Sequence, residues 1–95
     1  MNNISRSWLV YILCCNDGFY YVGTATDVED RVKEHNAGQG SAFTKKRRPV
    51  KLVYTEKQEN YASAREREAQ LKSWRREKKE WLINGTRPAD SLHSV

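Results

Sequence analysis

Eight consecutive apolar residues, Trp8-Leu9-Val10-Tyr11-Ile12-Leu13-Cys14-Cys15, constrain the fold more than any other part of this chain. Odd and even positions are apolar alike. A strand of that kind is buried on both faces, so it belongs at the centre of a sheet. The run falls well short of the about 20 apolar residues that a membrane span requires. The segment from Met1 to Arg6 leads into no small-residue cleavage site, so a buried strand is expected here and not a signal peptide.

The rest of the chain supplies what such a strand needs. Asn16-Asp17-Gly18 is a turn signal, and Phe19-Tyr20-Tyr21-Val22-Gly23-Thr24 reads as a second strand, antiparallel to the first. Thr26 followed by Glu29 fits a capping box, with a helix running to about Ala37 and stopping at Gly38. Val28, Arg31, Val32 and His35 share one face of that helix. Residues 38–48 are polar and basic and read as a loop, closed by Pro49. Residues 50–55 read as a third strand, at an edge. From Tyr61 a helical stripe returns with Ala64, Glu68, Leu71 and Arg75, and Trp74, Lys78, Trp81 and Leu82 continue a neighbouring stripe in a second helix. Gly85 and Pro88 end helical structure.

The predicted fold is therefore α+β: a small three-stranded antiparallel sheet flanked by helices, in the order β-β-α-β-α-α. With 95 residues the chain makes one domain, 1–95, with a core of about 7–83 and flexible ends at 1–6 and 86–95. Such a domain buries about 60–65% of its unfolded surface, so every anchor counts. Ten aromatics spread from Trp8 to Trp81 provide them.

Lys and Arg number 17 against 12 Asp and Glu, a net charge of +5, which favours a polyanionic partner. The charge is patterned. Lys45-Lys46-Arg47-Arg48 is a basic run, and residues 65–79 hold seven Lys or Arg against three Glu. Cys14 and Cys15 are adjacent and do not bridge each other, and two Cys with two His at no ligand spacing make no zinc site. A reduced, cytoplasmic protein with no disulfide partner and no membrane partner is the simple expectation.

Several polar residues stand where apolar ones are expected. Glu68 shares a stripe with Ala64 and Leu71, which aims a carboxylate at the sheet, a costly placement without a compensating cation or metal. The plainer account is an ion pair with Lys72 one turn on. Arg31 lies between Val28 and Val32, where a guanidinium either clamps a phosphate or packs its stem and reaches for water. Tyr11 and Tyr21 sit on paired strands and can share a face of the sheet, as phosphate-facing phenols or as core aromatics. Gly23 leaves backbone room for a close neighbour. The Lys45–Arg48 run is either a phosphate contact or a solvated charge cluster.

Leu9-Val10-Tyr11 followed by Tyr21-Val22-Gly23 resembles the paired signature of the GIY-YIG nuclease superfamily, with Leu9 in place of the first glycine. Asp27–His35 with Arg31 resembles the motif helix that carries the family's catalytic arginine. Glu68 resembles the metal-binding glutamate. The Glu34–Gly38, Thr44–Pro49 and Arg67–Lys72 segments look like the small, stand-alone YhbQ-like bacterial branch. The resemblance implies a divalent-metal-dependent endonuclease that hydrolyses DNA phosphodiester bonds in repair or recombination, with RNA left open as a substrate. The catalytic set it implies is Tyr11, Tyr21, Arg31, His35 and Glu68, with one Mg²⁺ or Mn²⁺ on Glu68. Arg31 clamps the phosphate, Tyr11 takes a proton from water, Tyr21 hydrogen-bonds the phosphate or water, and Gly23 is structural. Lys45, Lys46, Arg47, Arg48 and Lys72 are expected to bind nucleic acid. Asn84 stands in the region of a late polar site residue. The same surface also suits a non-catalytic nucleic-acid-binding module or, more blandly, a domain with a protein partner.

Overall fold

The computed structural model describes residues 7–85, so the ends expected to be flexible, 1–6 and 86–95, lie outside the described residues. The elements run β1 (Trp8–Cys14), β2 (Tyr20–Ala25), α1 (Val28–Asn36), α2 (Ala42–Lys45), β3 (Lys51–Gln58), α3 (Tyr61–Ser73) and α4 (Arg76–Asn84). The strands form one antiparallel sheet in the order β2-β1-β3, which puts the apolar run in the middle and β3 at an edge, as its sequence predicts.

Alternation along β1 divides the core in two. Tyr11, Leu13 and Cys15 pack on one face with Ala25, Val28 and Val50, under α1. Val10 and Ile12 pack on the other with Val22, Ala64 and Leu71, under α3, and Leu82 and Ile83 of α4 join them. Each of these fully buried aliphatic side chains contributes about 1.5–3 kcal/mol, so a strand apolar on both sides ties two layers at once. Between Ile12 and Leu13 the pairing with β3 slips, and Leu13 faces Leu52 where strict register would give Val53. That bulge explains why β3 lacks clean alternation and leaves Leu52 exposed.

The caps differ from expectation at three places. Asp27, not Thr26, caps α1: its carboxylate accepts from Asp30 N at 3.0 Å. A charged carboxylate complements the positive end of the helix better than a hydroxyl does. The reciprocal capping box sits at α3, between Asn60 and Ser63. The stretch 38–48 is not all loop, because Ser41 caps the short helix α2. Four helical residues are too few to show a period. The stripe ending at Arg75 also breaks: Trp74 is extended, and Arg75 is the N-cap of α4.

Candidate functional site around Tyr11

The first layer of the site comes from the hairpin. Tyr11 pairs with Gly23 across the strands, and its ring lies over the glycine, where an added Cβ would stand 2.5 Å from the phenol oxygen. Tyr21 is two residues before Gly23 and so lies on the same face, its ring centroid 6.4 Å from that of Tyr11. The hairpin thus joins two of the expected residues, and Gly23 provides the room for it.

The second layer is α1. His35 is fully buried, and its Nε2 lies 3.0 Å from the Tyr11 hydroxyl. Its Nδ1 lies 2.7 Å from Thr44 Oγ1, itself buried in α2. The proton positions follow from what each group can offer. Burial first, and then the neighbouring Tyr21, push the Tyr11 phenol above the ordinary phenol range, so it keeps its proton, while Arg31 pulls the other way. That proton needs an acceptor, and His35 Nε2 provides it. The Nδ1–H then donates to Thr44 Oγ1, and Thr44 donates to the Ser41 carbonyl at 3.3 Å. Burial and the Arg31 charge lower the His35 pKa, which keeps the imidazole neutral. The backbone also makes way for this ring: a Cβ at Gly40 would overlap the His35 imidazole.

Arg31 stands one turn before His35. Its Nε pairs with Glu34 at 3.0 Å, and the side chain is 41% exposed. Its positive charge lowers the Tyr11 pKa, against the larger effect of burial. Glu68 approaches from α3, on the opposite layer of the sheet. It is only 14% exposed and acts on Tyr11 through its field. Lys72 at 2.9 Å and Arg65 at 3.5 Å neutralise it, so both accounts of Glu68 hold at once: it turns inward and it is paired. Lys72 is accordingly paired with Glu68.

The basic run divides. Lys45 and Lys46 are exposed. Arg47 turns onto the protein: its guanidinium lies 3.9 Å from the Phe43 ring centroid, it donates to the Phe43 carbonyl at 2.9 Å, and Asp17 stands 3.0 Å from its Nε, too far off-line for a hydrogen bond. Arg48 donates to the carbonyls of Lys45 and Asn36. Both arginines therefore brace the segment, where the sequence suggested phosphate contacts. Asn36 completes the brace, its amide bonding both backbone groups of Val50. Asn84 is exposed at the end of α4. Thr44, Ser41 and Gly40 were missed by the sequence reading. The one local signal was the spacing Ser41-x-x-Thr44, a cap pattern inside an apparent loop.

Among the described residues no three His, Cys, Asp or Glu gather into a metal cage, and no helix is long and apolar enough to cross a membrane. Residues 7–81 match the GIY-YIG catalytic domain. The chain is 51% identical over 77 residues to a UPF0213 protein of Staphylococcus aureus strain Mu3, an alignment covering 81% of this chain and 94% of that one. It is also similar to two structures solved by solution NMR. One is the protein EF2693 from E. faecalis, at 40% identity and a TM-score of 0.60 over 90% of each chain. The other is the UPF0213 protein BH0048 from Bacillus halodurans, at 40% identity and a TM-score of 0.53, covering 82% of this chain and 83% of that one. The Staphylococcus aureus and Bacillus halodurans relatives carry the UPF0213 designation, where the sequence resemblance pointed to the YhbQ-like branch.

Proposed function

The chain belongs to the GIY-YIG family, and we propose that it is a nucleic-acid-binding domain whose Tyr11 site receives the phosphate backbone. The observation that carries this reading is the position of Arg31 on α1, one turn before the buried His35 that bonds Tyr11, with its side chain still 41% exposed. A cation held at the mouth of a polar site suits a phosphate oxygen. Exposed Lys45 and Lys46 and the net charge of +5 add a longer-range attraction.

Hydrolysis of the bound phosphodiester is the second reading, and the Tyr11–His35–Thr44 chain favours it. A phenol whose proton already points at a neutral imidazole can take a proton from water and pass its own to His35 Nε2. The hydroxide so formed attacks phosphorus, and the P–O bond to the leaving sugar oxygen breaks. That oxygen takes a proton from solvent while His35 returns its proton through Tyr11, and Arg31 steadies the charge that develops on the phosphoryl oxygens. Glu68 is the carboxylate that would hold Mg²⁺ or Mn²⁺. Magnesium accepts one or two carboxylates when phosphate oxygens and water complete its shell, so one glutamate fits if the nucleic acid supplies the rest. When bound, the ion would neutralise charge at the phosphate. The lysine and arginine that pair with Glu68 are largely exposed, so water screens both pairs and they yield readily.

The test separates the readings. Affinity for labelled single-stranded, duplex, flap and four-way DNA is measured against salt without divalent ions, then cutting is scored with Mg²⁺ or Mn²⁺. Binding predicts a linear fall of log affinity with log salt, and Arg31→Ala should lower the slope by about one phosphate contact. Absence of salt-dependent binding refutes the proposal. Cutting that disappears in a folded Glu68→Gln variant establishes the second reading. Binding without cutting under every metal leaves the first.

A further inference from the structure

The site does not end at Tyr21. Phe43 of α2 stacks on the Tyr21 ring with an interplanar angle of 26° and centroids 6.1 Å apart. Phe19, from the tip of the β1–β2 turn, meets Phe43 edge-on at 6.3 Å. With Tyr11 and Tyr21 at 6.4 Å, four rings descend from the surface to the polar site in nearly equal steps. The two outer rings are exposed, Phe19 at 53% and Phe43 at 37%. Single exposed apolar residues are ordinary, but two in contact, continuing a row of rings that leads to the Tyr11 site, are not scattered surface.

The outer rings are also held rigidly. Arg47 lies 3.9 Å from the Phe43 centroid and 5.3 Å from that of Phe19. Its carbonyl accepts from Asn16 N at 2.9 Å, which ties the hairpin tip to the end of α2. Arg76 donates to the Gly18 carbonyl at 2.6 Å and fixes the same turn from the other side. A platform built this way loses little conformational entropy when a flat ligand lands on it.

We propose that Phe19 and Phe43 form a stacking platform for unpaired nucleobases of a single-stranded nucleic acid whose backbone runs on to the Tyr11 site. Bases have π-faces whatever their identity, so a pair of exposed rings beside cations suits sequence-tolerant single-strand binding. The charges match: Arg47 holds the rings in place, and exposed Lys45 and Lys46 are free for the backbone phosphates. In a duplex the base faces are already stacked on one another and cannot reach these rings. The inference rests on the reading that this face binds nucleic acid, and it adds which form is preferred.

The experiment is fluorescence anisotropy with the full chain, in EDTA so that nothing is cut. The probes are a short oligothymidylate, an oligouridylate, an abasic strand with the same phosphates, and a duplex of equal length. The wild-type chain should bind oligothymidylate about tenfold or more tighter than the abasic strand. The double variant Phe19→Ala, Phe43→Leu should close that gap and keep its duplex affinity, which also shows that it folds. Should the double variant fail to fold, the wild-type comparison of oligothymidylate with the abasic strand decides alone. Equal wild-type affinity for those two strands overturns the platform while the phosphate-binding reading stands. Loss of single-strand and duplex affinity together in the folded variant also overturns it. No binding to any probe refutes both readings. The ratio of oligouridylate to oligothymidylate affinity reports which sugar the backbone track accepts, and tight base-dependent binding of either supports the platform.

Discussion

Replacing Gly23 by alanine tests the geometry at its tightest point. The added Cβ would stand 2.5 Å from the Tyr11 hydroxyl oxygen, 2.6 Å from Cζ and 3.1 Å from Cε2. The phenol has nowhere easy to go. It is 1% exposed, hydrogen-bonded to His35 at 3.0 Å and backed by Tyr21. Overpacking of a core costs about 1–3 kcal/mol, and displacing the phenol from His35 adds about 0.5–1.5 kcal/mol. Restricting the unfolded chain by a Cβ returns about 0.4–1 kcal/mol. The net loss is about 2 kcal/mol, which lowers the melting temperature by about 8–16 °C in a domain of this size. Circular dichroism melts of the single variants and of the pair with Tyr11→Phe measure it. In the Tyr11→Phe background the closest contact and the hydrogen bond are both gone, so the cost of the alanine should shrink by at least about 0.5 kcal/mol. A Gly23→Ala protein as stable as the parent, or one that loses the same amount in both backgrounds, refutes the packing of Tyr11 on Gly23.

Acid should destabilise the fold through His35, whose folded pKa lies below the ordinary histidine value because the ring is buried and near Arg31. Its contribution is complete above about pH 6.5 and is lost as pH falls below that, because the unfolded chain binds the proton first. Denaturant titrations from pH 7.5 to 5.5 should show the fall, and His35→Gln should flatten it. An equal slope in the variant would rule out His35 as its source. On the opposite layer, Arg67 grips Glu56 through Nε at 2.7 Å and Nη2 at 3.1 Å, and Arg67→Lys keeps the charge but loses the fork. That change should cost about 1–2 kcal/mol in urea denaturation, and a midpoint equal to the parent's would show the pair to be dispensable.

Periodicity decided what the sequence could reveal. The double-faced apolar run placed β1 at the centre, and the hairpin then put Tyr11, Tyr21 and Gly23 on one face. The four-residue spacing of Arg31 and His35 brought both to that face from α1. These inferences are local, and they hold. The partners of each side chain are not local, and the sequence does not display them. Nothing near Arg47 announces that Asp17 and two phenylalanines will capture it, and nothing near Arg48 announces Asn36. Charge in a sequence shows that a cation exists, while only tertiary structure shows whether it is already spent on the protein. Thr44 illustrates the same limit: it reaches His35 across nine positions of apparent loop, with no repeat to mark it.

The two-layer core also explains why the site sits where it does. Because β1 is buried on both sides, a polar group on it can be satisfied only by side chains from the covering helices. Tyr11 is the one residue of the central strand with a polar side-chain oxygen, and an unpaired buried hydroxyl costs about 1–3 kcal/mol. The fold therefore has to deliver partners to it, and it does so from two elements: His35 from α1, and Thr44 behind His35 from α2. Packing alone would be served as well by phenylalanine, with no need for a buried histidine or a capped threonine. Tyr11→Phe should consequently leave the layers intact, at a cost of about 1–3 kcal/mol, because the buried His35 Nε2 loses its donor. What such a chain would lack is the hydroxyl that His35 and, behind it, Thr44 are placed to receive.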